Sequence, residues 1–242
     1  MPLPLPAERY IESIRADVDR FAAAIAAAPA AAVPCCPGWD NTALAGHLGD
    51  VYSFALAQLR STDTGQIAAP DHGAKADAAS WYRDNADQLL TTLAATDPDG
   101  PGWNWAGEPT RSFYFRRMAC ETAVHRVDAQ RAAGDAEHPV DADIATDGID
   151  EVFEVGMRFR IRGPNDEFPA GSLHLHRTDG DGEWLVRAID GGIELTHEHA
   201  KGDAAVRGPA SDLFLFLWGR GRGQAEVFGD EQVAEAWAAV AP

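Results

Sequence analysis

The chain has 242 residues, of which 45% are hydrophobic and 24% charged, and its formal net charge is −18. This length can bury a sizeable core and suits one large domain or two small ones; we expect two. Binding to nucleic acids or anionic membranes needs a basic surface, which so acidic a protein is not expected to have. Neither is therefore an expected partner.

The N-terminus and the cysteines bear on location and redox state. The first six residues, Met-Pro-Leu-Pro-Leu-Pro, contain no basic region followed by an apolar run. No later stretch approaches the roughly 18 apolar residues of a membrane span, so we expect a cytoplasmic protein. Cys35, Cys36 and Cys120 match neither a disulfide framework nor a zinc knuckle. Cys35 and Cys36 could be redox active, but their position in a tight turn before Pro37 favours a structural role.

In the first 160 residues, apolar side chains recur at intervals of three and four, which is typical of amphipathic helices. The pattern predicts helices over 6–28, 41–60, 80–95, 110–133 and 143–160. Two polar or breaker-rich loops follow the second and third predicted helices, at 61–79 and 97–109. The second loop carries Trp103 and Trp105, which could line a ligand cleft, although packing against the helices is favoured.

A polar stripe on the fourth predicted helix is the first candidate site. Arg117, Glu121 and His125 are spaced four apart and therefore lie on one helical face, among apolar neighbours. A carboxylate and an imidazole one turn apart can chelate a metal ion from a single helix. His47 lies among apolar residues of the second helix, and taken alone it would more often be a hydrogen-bonded core histidine.

The periodicity becomes alternating after Gly163-Pro164, which predicts strands. Segments 172–178 and 183–189 are joined by Asp179-Gly180-Asp181-Gly182, a strong hairpin signal. Further strands are predicted at 193–199, 204–207 and 226–228, with helices at 209–218 and 230–239. The expected architecture is therefore a helical domain over 1–162 and a small α+β domain over 163–242.

Two histidine pairs in the predicted strands form a second candidate site. His174 and His176 share one strand face, as do His197 and His199, because side chains alternate along a strand. Adjacent strands could gather all four imidazoles around a metal ion. The leucines between and before the first pair occupy the opposite face, which favours a solvated pair instead.

At three places the chain resembles a known family, the mycothiol-dependent maleylpyruvate isomerases. In that family a DinB-like four-helix bundle precedes an α+β domain resembling sterol carrier protein 2, and the resemblance extends over nearly the whole chain. The segments that carry it are Trp39 with the following His47 helix, Glu121-x-x-x-His125-Arg126-x-Asp128, and Gly208-Pro209-Ala210-Ser211-Asp212-Leu213 with Trp218-Gly219-Arg220.

The resemblance implies one metal ion, usually zinc, held by His47, Glu121 and His125. Two nitrogens and one oxygen suit zinc and leave a coordination position open, which is typical of catalytic sites. Asp128, one turn after His125, could accept the free ring N–H of that histidine or could be a plain surface carboxylate. Arg117 could hold an anionic group of the substrate or neutralise Glu121.

Arg220, on the Gly-rich loop of the C-terminal domain, is a candidate carboxylate clamp reaching that metal. The thiol cofactor implied by the family is mycothiol, and a zinc-bound thiol is deprotonated at neutral pH. In the isomerases the thiolate adds to the double bond of a cis-unsaturated diacid, the adduct rotates and the thiol leaves; in transferase relatives the adduct stays.

We therefore expect a zinc-dependent, mycothiol-using isomerase or S-transferase that acts on a small electrophilic substrate, as a monomer or a homodimer. The alternative is a non-catalytic small-molecule-binding or regulatory protein that retains the scaffold. The intact set of three ligands favours the enzyme, because a carrier has no need of it.

Overall fold

The computed structural model describes residues 3–61, 65–69, 71, 77–107, 109–157 and 167–240. It divides into two compact units, Met1–His138 and Pro139–Pro242. The sequence placed the boundary near residue 162, which lies outside the described residues. Because the structure divides after His138, the fifth predicted helix belongs to the second unit and not to the first.

Among the described residues of the first unit, four helices form a bundle, as the sequence predicted. They are α1 (Ala7–Ala27), α2 (Asn41–Arg60), α3 (Ala78–Ala94) and α4 (Ser112–Ala133). Helix α1 packs mainly on α4, and α2 on α3. Asp40 and Asp77 cap α2 and α3 by accepting hydrogen bonds from backbone N–H groups, and α4 ends at Gly134 with a φ of 71°. Much of the loop predicted at 61–79 lies outside the described residues.

Helix α4 is buried on every side along most of its length, from Tyr114 to Gln130. Its charged residues therefore need partners inside the protein. Arg126, which is fully buried, donates a hydrogen bond of 3.1 Å from Nε to Asp17 Oδ1 on α1 and another of 3.0 Å to Gln130 Oε1. The backbone carbonyl of His138 accepts a further hydrogen bond from the same guanidinium. The bond to Asp17 joins α4 to α1.

The two tryptophans of the loop before α4 pack against the bundle, the interpretation that the sequence favoured. The ring centres of Trp105 and Phe113 are 4.5 Å apart, and those of Trp103 and Phe54 are 6.1 Å apart. The loop is thereby attached to both α2 and α4 by aromatic contacts.

The second unit begins with α5 (Ala142–Glu151), which continues as a π-helical turn (Val152–Gly156). Its further described elements are β1 (Leu173–Arg177), β2 (Glu183–Ile189), β3 (Gly192–Thr196), β4 (Ala204–Gly208), α6 (Ala210–Leu217), β5 (Glu226–Gly229) and α7 (Glu231–Ala239). The five strands form one mixed sheet in the order β3-β2-β1-β4-β5, with β1 and β4 parallel and the other neighbours antiparallel. The predicted hairpin joins β1 to β2.

Close contacts explain why α5 belongs to this unit. Gly148 lies so near the Phe214 ring of α6 that a Cβ atom at Gly148 would be 2.6 Å from it. Trp184 of β2 donates a hydrogen bond of 2.7 Å from Nε1 to Asp150 Oδ1 on α5. Helical periodicity showed that α5 exists but not which helices it packs on, so the predicted boundary was set too late in the chain. Among the described residues, no helix has both the length and the apolar character that a membrane crossing requires.

Candidate metal centre

The structure brings together the three residues that the sequence proposed as metal ligands. The Oε1 atom of Glu121 on α4 is 3.3 Å from His47 Nε2 on α2 and 3.1 Å from His125 Nε2 one turn further along α4. Taking one ligand atom from each residue, all three lie within 4.8 Å of one another. A ligand set drawn from two packed helices is held by the bundle itself rather than by a loop.

The three side chains of this cluster differ in their exposure to solvent. Glu121 and His125 are buried, whereas 34% of the His47 side chain is exposed. The half-buried ring of Trp39 lies 5.0 Å from the His47 ring, measured between centres. A small molecule would therefore reach the cluster from the side of His47 and Trp39.

Glu121 is held as a carboxylate by its neighbours. Arg117, one turn earlier on α4, donates a hydrogen bond to its Oε2 atom inside the protein. Burial, the largest influence, would raise the pKa of Glu121, but the Arg117 charge and the hydrogen bonds from His125 and His47 hold it well below its usual range. Of the two roles considered for Arg117, the contact is that of a cation neutralising Glu121; its binding of a substrate anion stays a prediction.

Asp128 lies beneath His125 and is fully buried. Its Oδ2 atom accepts a hydrogen bond of 3.0 Å from His125 Nδ1, so it is not the surface carboxylate that was the alternative. This contact leaves Nε2 of His125 directed at Glu121. Burial, the largest influence, lowers the pKa of His125, but the hydrogen bonds and charges of Asp128 and Glu121 together raise it from 6.5 to about 9.

This raised pKa predicts how metal uptake depends on pH. In the metal-free protein His125 is protonated at pH 7, and a ligating imidazole must be neutral, so binding should release about one proton from His125. Apparent zinc affinity should therefore increase about tenfold per pH unit between pH 7 and pH 9. Calorimetry in two buffers of different ionisation enthalpy measures the released proton, and equal affinity at the two pH values would contradict the prediction.

The same shift affects the metal-free fold. Since the folded pKa lies above the unfolded value of 6.5, the protonated imidazole stabilises the folded state fully below that pH. This contribution is lost as the pH rises through about 9. A metal ion bound by His125 would compete with this proton for one nitrogen atom.

Two further residues singled out in the sequence, Arg220 and Cys36, are not among the three candidate ligands. Arg220 follows α6 in the second unit, where its guanidinium donates a hydrogen bond of 2.7 Å to the Trp218 carbonyl and lies 5.8 Å from the centre of that indole. Its proposed reach to the metal of the bundle stays a prediction. The Sγ atom of Cys36 lies 4.0 Å from Asp128 Oδ2, a contact that the sequence analysis missed because 92 positions separate the two residues.

The donor atoms fit a divalent metal ion of the zinc class. Two imidazole nitrogens and one carboxylate oxygen make a three-residue set of the kind found in catalytic zinc sites, and Asp128 provides the hydrogen-bonded outer partner that ligating histidines usually have. Glu121 is held in its ionised form and so offers an oxygen ligand at once, while buried Asp128 adds a second negative charge beside His125.

Comparisons with solved structures agree with the observed fold. A crystal structure of a histidine-to-alanine mutant of the mycothiol-dependent maleylpyruvate isomerase is 14% identical over 94% of this chain and 95% of that chain, with a TM-score of 0.64. A second crystal structure of that isomerase covers the same shares at 14% identity, with a TM-score of 0.53. At this identity the likeness shows the fold alone. No curated protein matched the sequence.

Family models match both units of the chain. The model described as the mycothiol maleylpyruvate isomerase N-terminal domain matches residues 11–130, and the MDMPI C-terminal domain matches residues 143–236. The two models follow each other in the order of the two compact units, with a gap that contains the division after His138. The chain therefore belongs to the mycothiol-dependent maleylpyruvate isomerase family.

Proposed function

We propose that this protein is a zinc-dependent enzyme of the maleylpyruvate isomerase type that uses mycothiol as its thiol cofactor or co-substrate. Its substrate is a small electrophilic unsaturated molecule, and the reaction is cis–trans isomerisation or S-conjugation. The observation that carries the proposal is the convergence of His47, Glu121 and His125 on one point of the bundle, with all three ligand atoms within 4.8 Å. Family membership supports the choice of thiol.

His47, Glu121 and His125 would hold the zinc ion. When bound, zinc would supply the positive charge that keeps a thiol in its nucleophilic, deprotonated form at neutral pH. Three protein ligands leave a position for that thiol, as in other catalytic zinc sites. The exposed side of His47 gives it a route from solvent.

The remaining residues position these ligands. Asp128 accepts the Nδ1 proton of His125 and so keeps Nε2 directed at the cluster. Arg117 fixes the Glu121 carboxylate through Oε2 and leaves Oε1 facing the two histidines. Because Arg117 is also buried, this ion pair is shielded from solvent and salt.

Glu121 suits the role of ligand better than that of general base. A general base works best with a pKa near the working pH, and the pKa of Glu121 is held well below its usual range. Such a carboxylate takes a proton poorly but coordinates a cation without first having to lose one. The two roles predict different effects of one substitution.

Glu121→Gln should lower zinc affinity by more than about tenfold, the smaller end of the loss that an outer-shell substitution causes. With saturating zinc, the pH–rate profile should shift to lower pH, because an amide lacks the negative charge that raises the pKa of a bound thiol. Zinc affinity and the profile are both measured on the full-length chain with mycothiol and maleylpyruvate. If Glu121 were the base, zinc affinity would be unchanged and the acidic limb of the profile would disappear.

Glu137→Gln is the matched control, because Glu137 lies on the surface of the same unit and pairs with Arg131. It should leave zinc affinity and the profile unaltered. Omitting the thiol tests the cofactor directly: turnover that continues at the full rate without mycothiol rules out the thiol mechanism. Full zinc occupancy with no turnover of any thiol and electrophile pair would favour the non-catalytic alternative.

A further inference from the structure

Around the carboxylate of Glu183 in the second unit, three imidazoles converge. His174 Nε2 lies 2.6 Å from Glu183 Oε2, whereas His176 Nδ1 and His199 Nδ1 lie 2.6 and 3.0 Å from Oε1. His197, the fourth histidine of the two pairs, is elsewhere: its Nε2 atom contacts Asp150 Oδ1 at 2.7 Å. The four histidines therefore do not all meet, and three of them surround a glutamate that the sequence analysis did not single out. The solvated first pair that the sequence favoured is wrong for His174, which is buried.

The sheet register explains the cluster. His176 and Glu183 are direct cross-strand partners in the antiparallel pair of β1 and β2, and His174 lies two residues away on the same face. Leu173 and Leu175 on the opposite face are fully buried, which fixes the direction of both histidines. Strand β3 ends at Thr196, so strand alternation does not extend to residues 197–199, and the two histidines there have different partners.

The hydrogen bonds of this cluster contribute little to stability. Glu183 has acceptor sites for all three imidazoles, but an ion pair with an exposed member stabilises a fold by only about 0–1 kcal/mol. The His199 side chain is 77% exposed, whereas that of His174 is 8% exposed. The cluster thus extends from the protein interior to solvent, which gives an ion from solution access to a ligand that is already fixed.

We propose that His174, Glu183 and His199 form a second zinc-class metal site, separate from the one in the bundle. One ligand atom from each of the three lies within 4.8 Å of the others. A tetrahedral zinc ion with bonds of about 2.0–2.1 Å holds its ligand atoms roughly 3.3 Å apart, so side-chain rotation brings them into place. Two nitrogens and one oxygen favour zinc over magnesium or calcium, which prefer oxygen ligands.

The neighbouring His176 would orient the carboxylate rather than bind the ion. It shares Glu183 Oε1 with His199 and comes from the position directly opposite Glu183 in the sheet. As an outer partner it should contribute about 10–100-fold to zinc affinity. Because the His199 side chain is 77% exposed, a bound ion would be accessible to water or to an anionic ligand on that side.

Zinc binding to the full-length chain tests the site through substitutions in the second unit only. His199→Ala removes the most exposed ligand and should weaken binding of one zinc ion per chain by more than about 100-fold, exceeding the loss expected of an outer partner. His174→Ala should do the same. His197→Ala is the matched control, because His197 is exposed and close in sequence but pairs with Asp150; it should bind as much zinc as the parent.

NMR resonances of the imidazole rings report zinc binding at each ring nitrogen separately. Adding zinc should shift the ring nitrogens of His174 and His199 and leave those of His197 unmoved, even with excess magnesium present. Zinc affinities of His199→Ala and His174→Ala that equal the parent's for every bound ion, or His174 and His199 resonances that do not shift with zinc, would overturn the proposal. Because none of these substitutions changes a residue of the bundle, the result does not depend on whether the bundle binds zinc.

Discussion

His125→Ala should remove the metal from the bundle and with it the thiol-dependent activity. The substitution deletes one of three ligands, so zinc affinity should fall by more than about 100-fold, since loss of an outer partner alone costs about 10–100-fold. Turnover at limiting zinc should fall in the same proportion. Elemental analysis after desalting, carried out in a His174→Ala background so that the site proposed in the second unit does not contribute, together with turnover across a range of zinc concentrations, measures both effects.

In His125→Ala, a loss of zinc binding must be distinguished from a loss of folding. His125 donates a hydrogen bond to the fully buried Asp128, and deleting the ring removes this bond. His125→Gln keeps an amide donor near Asp128 and serves as the second variant. His138→Ala is the control, because His138 is exposed and its ring contacts Gln130 rather than the cluster. A folded His125→Gln protein that binds zinc as tightly as the parent would show that the cluster is not the metal site.

Asp17→Ala should cost about 3–5 kcal/mol of the free energy of unfolding, because it removes the carboxylate that faces the buried guanidinium of Arg126. Arg126 is fully buried on α4, and its Nε atom lies 3.1 Å from Asp17 Oδ1 on α1. The loss is large because the remaining charge stays desolvated, not because the ion pair itself contributes that much. Urea unfolding measured with tryptophan fluorescence gives the difference.

Arg20→Ala provides the matched control for this measurement. Arg20 contacts the same Asp17 oxygen at 3.0 Å, but its side chain is 37% exposed. Removing it should cost less than about 1 kcal/mol, the usual limit for exposed ion pairs. If Asp17→Ala and Arg20→Ala destabilised the protein equally, the buried pair would not be what fixes α4 against α1. The Arg126 of the family motif would then need another explanation.

The four-helix bundle and the strands of the second unit follow from local patterns that the sequence shows. Apolar spacing of three and four residues gives α1 to α4, because a helix buries one stripe per 3.6 residues. Alternation and the Asp-Gly-Asp-Gly turn give β1 and β2, because a strand reverses its side chains at every residue. The stripe of Arg117, Glu121 and His125 is equally local, since helix geometry alone stacks residues that are four apart.

Contacts between distant elements were decided by the tertiary structure. His47 is 74 positions from Glu121, and no spacing rule indicates that α2 and α4 bring them together; the residues alone left His47 as a core histidine. Helix α5 was assigned to the wrong unit because its partner, Phe214, lies far along the chain. The Cys36 and Asp128 contact was missed for the same reason.

The histidines of the second unit show, within a few residues, which features follow from local sequence and which from tertiary structure. Strand alternation by itself determined that His174 and His176 share a face, because the leucines on the other face are buried in the core. Only the tertiary structure decided that Glu183 joins them, that His199 arrives from beyond the end of β3, and that His197 turns to Asp150. The physical reason is that backbone geometry sets which residues share a face, whereas strand register and strand length depend on how the whole sheet packs.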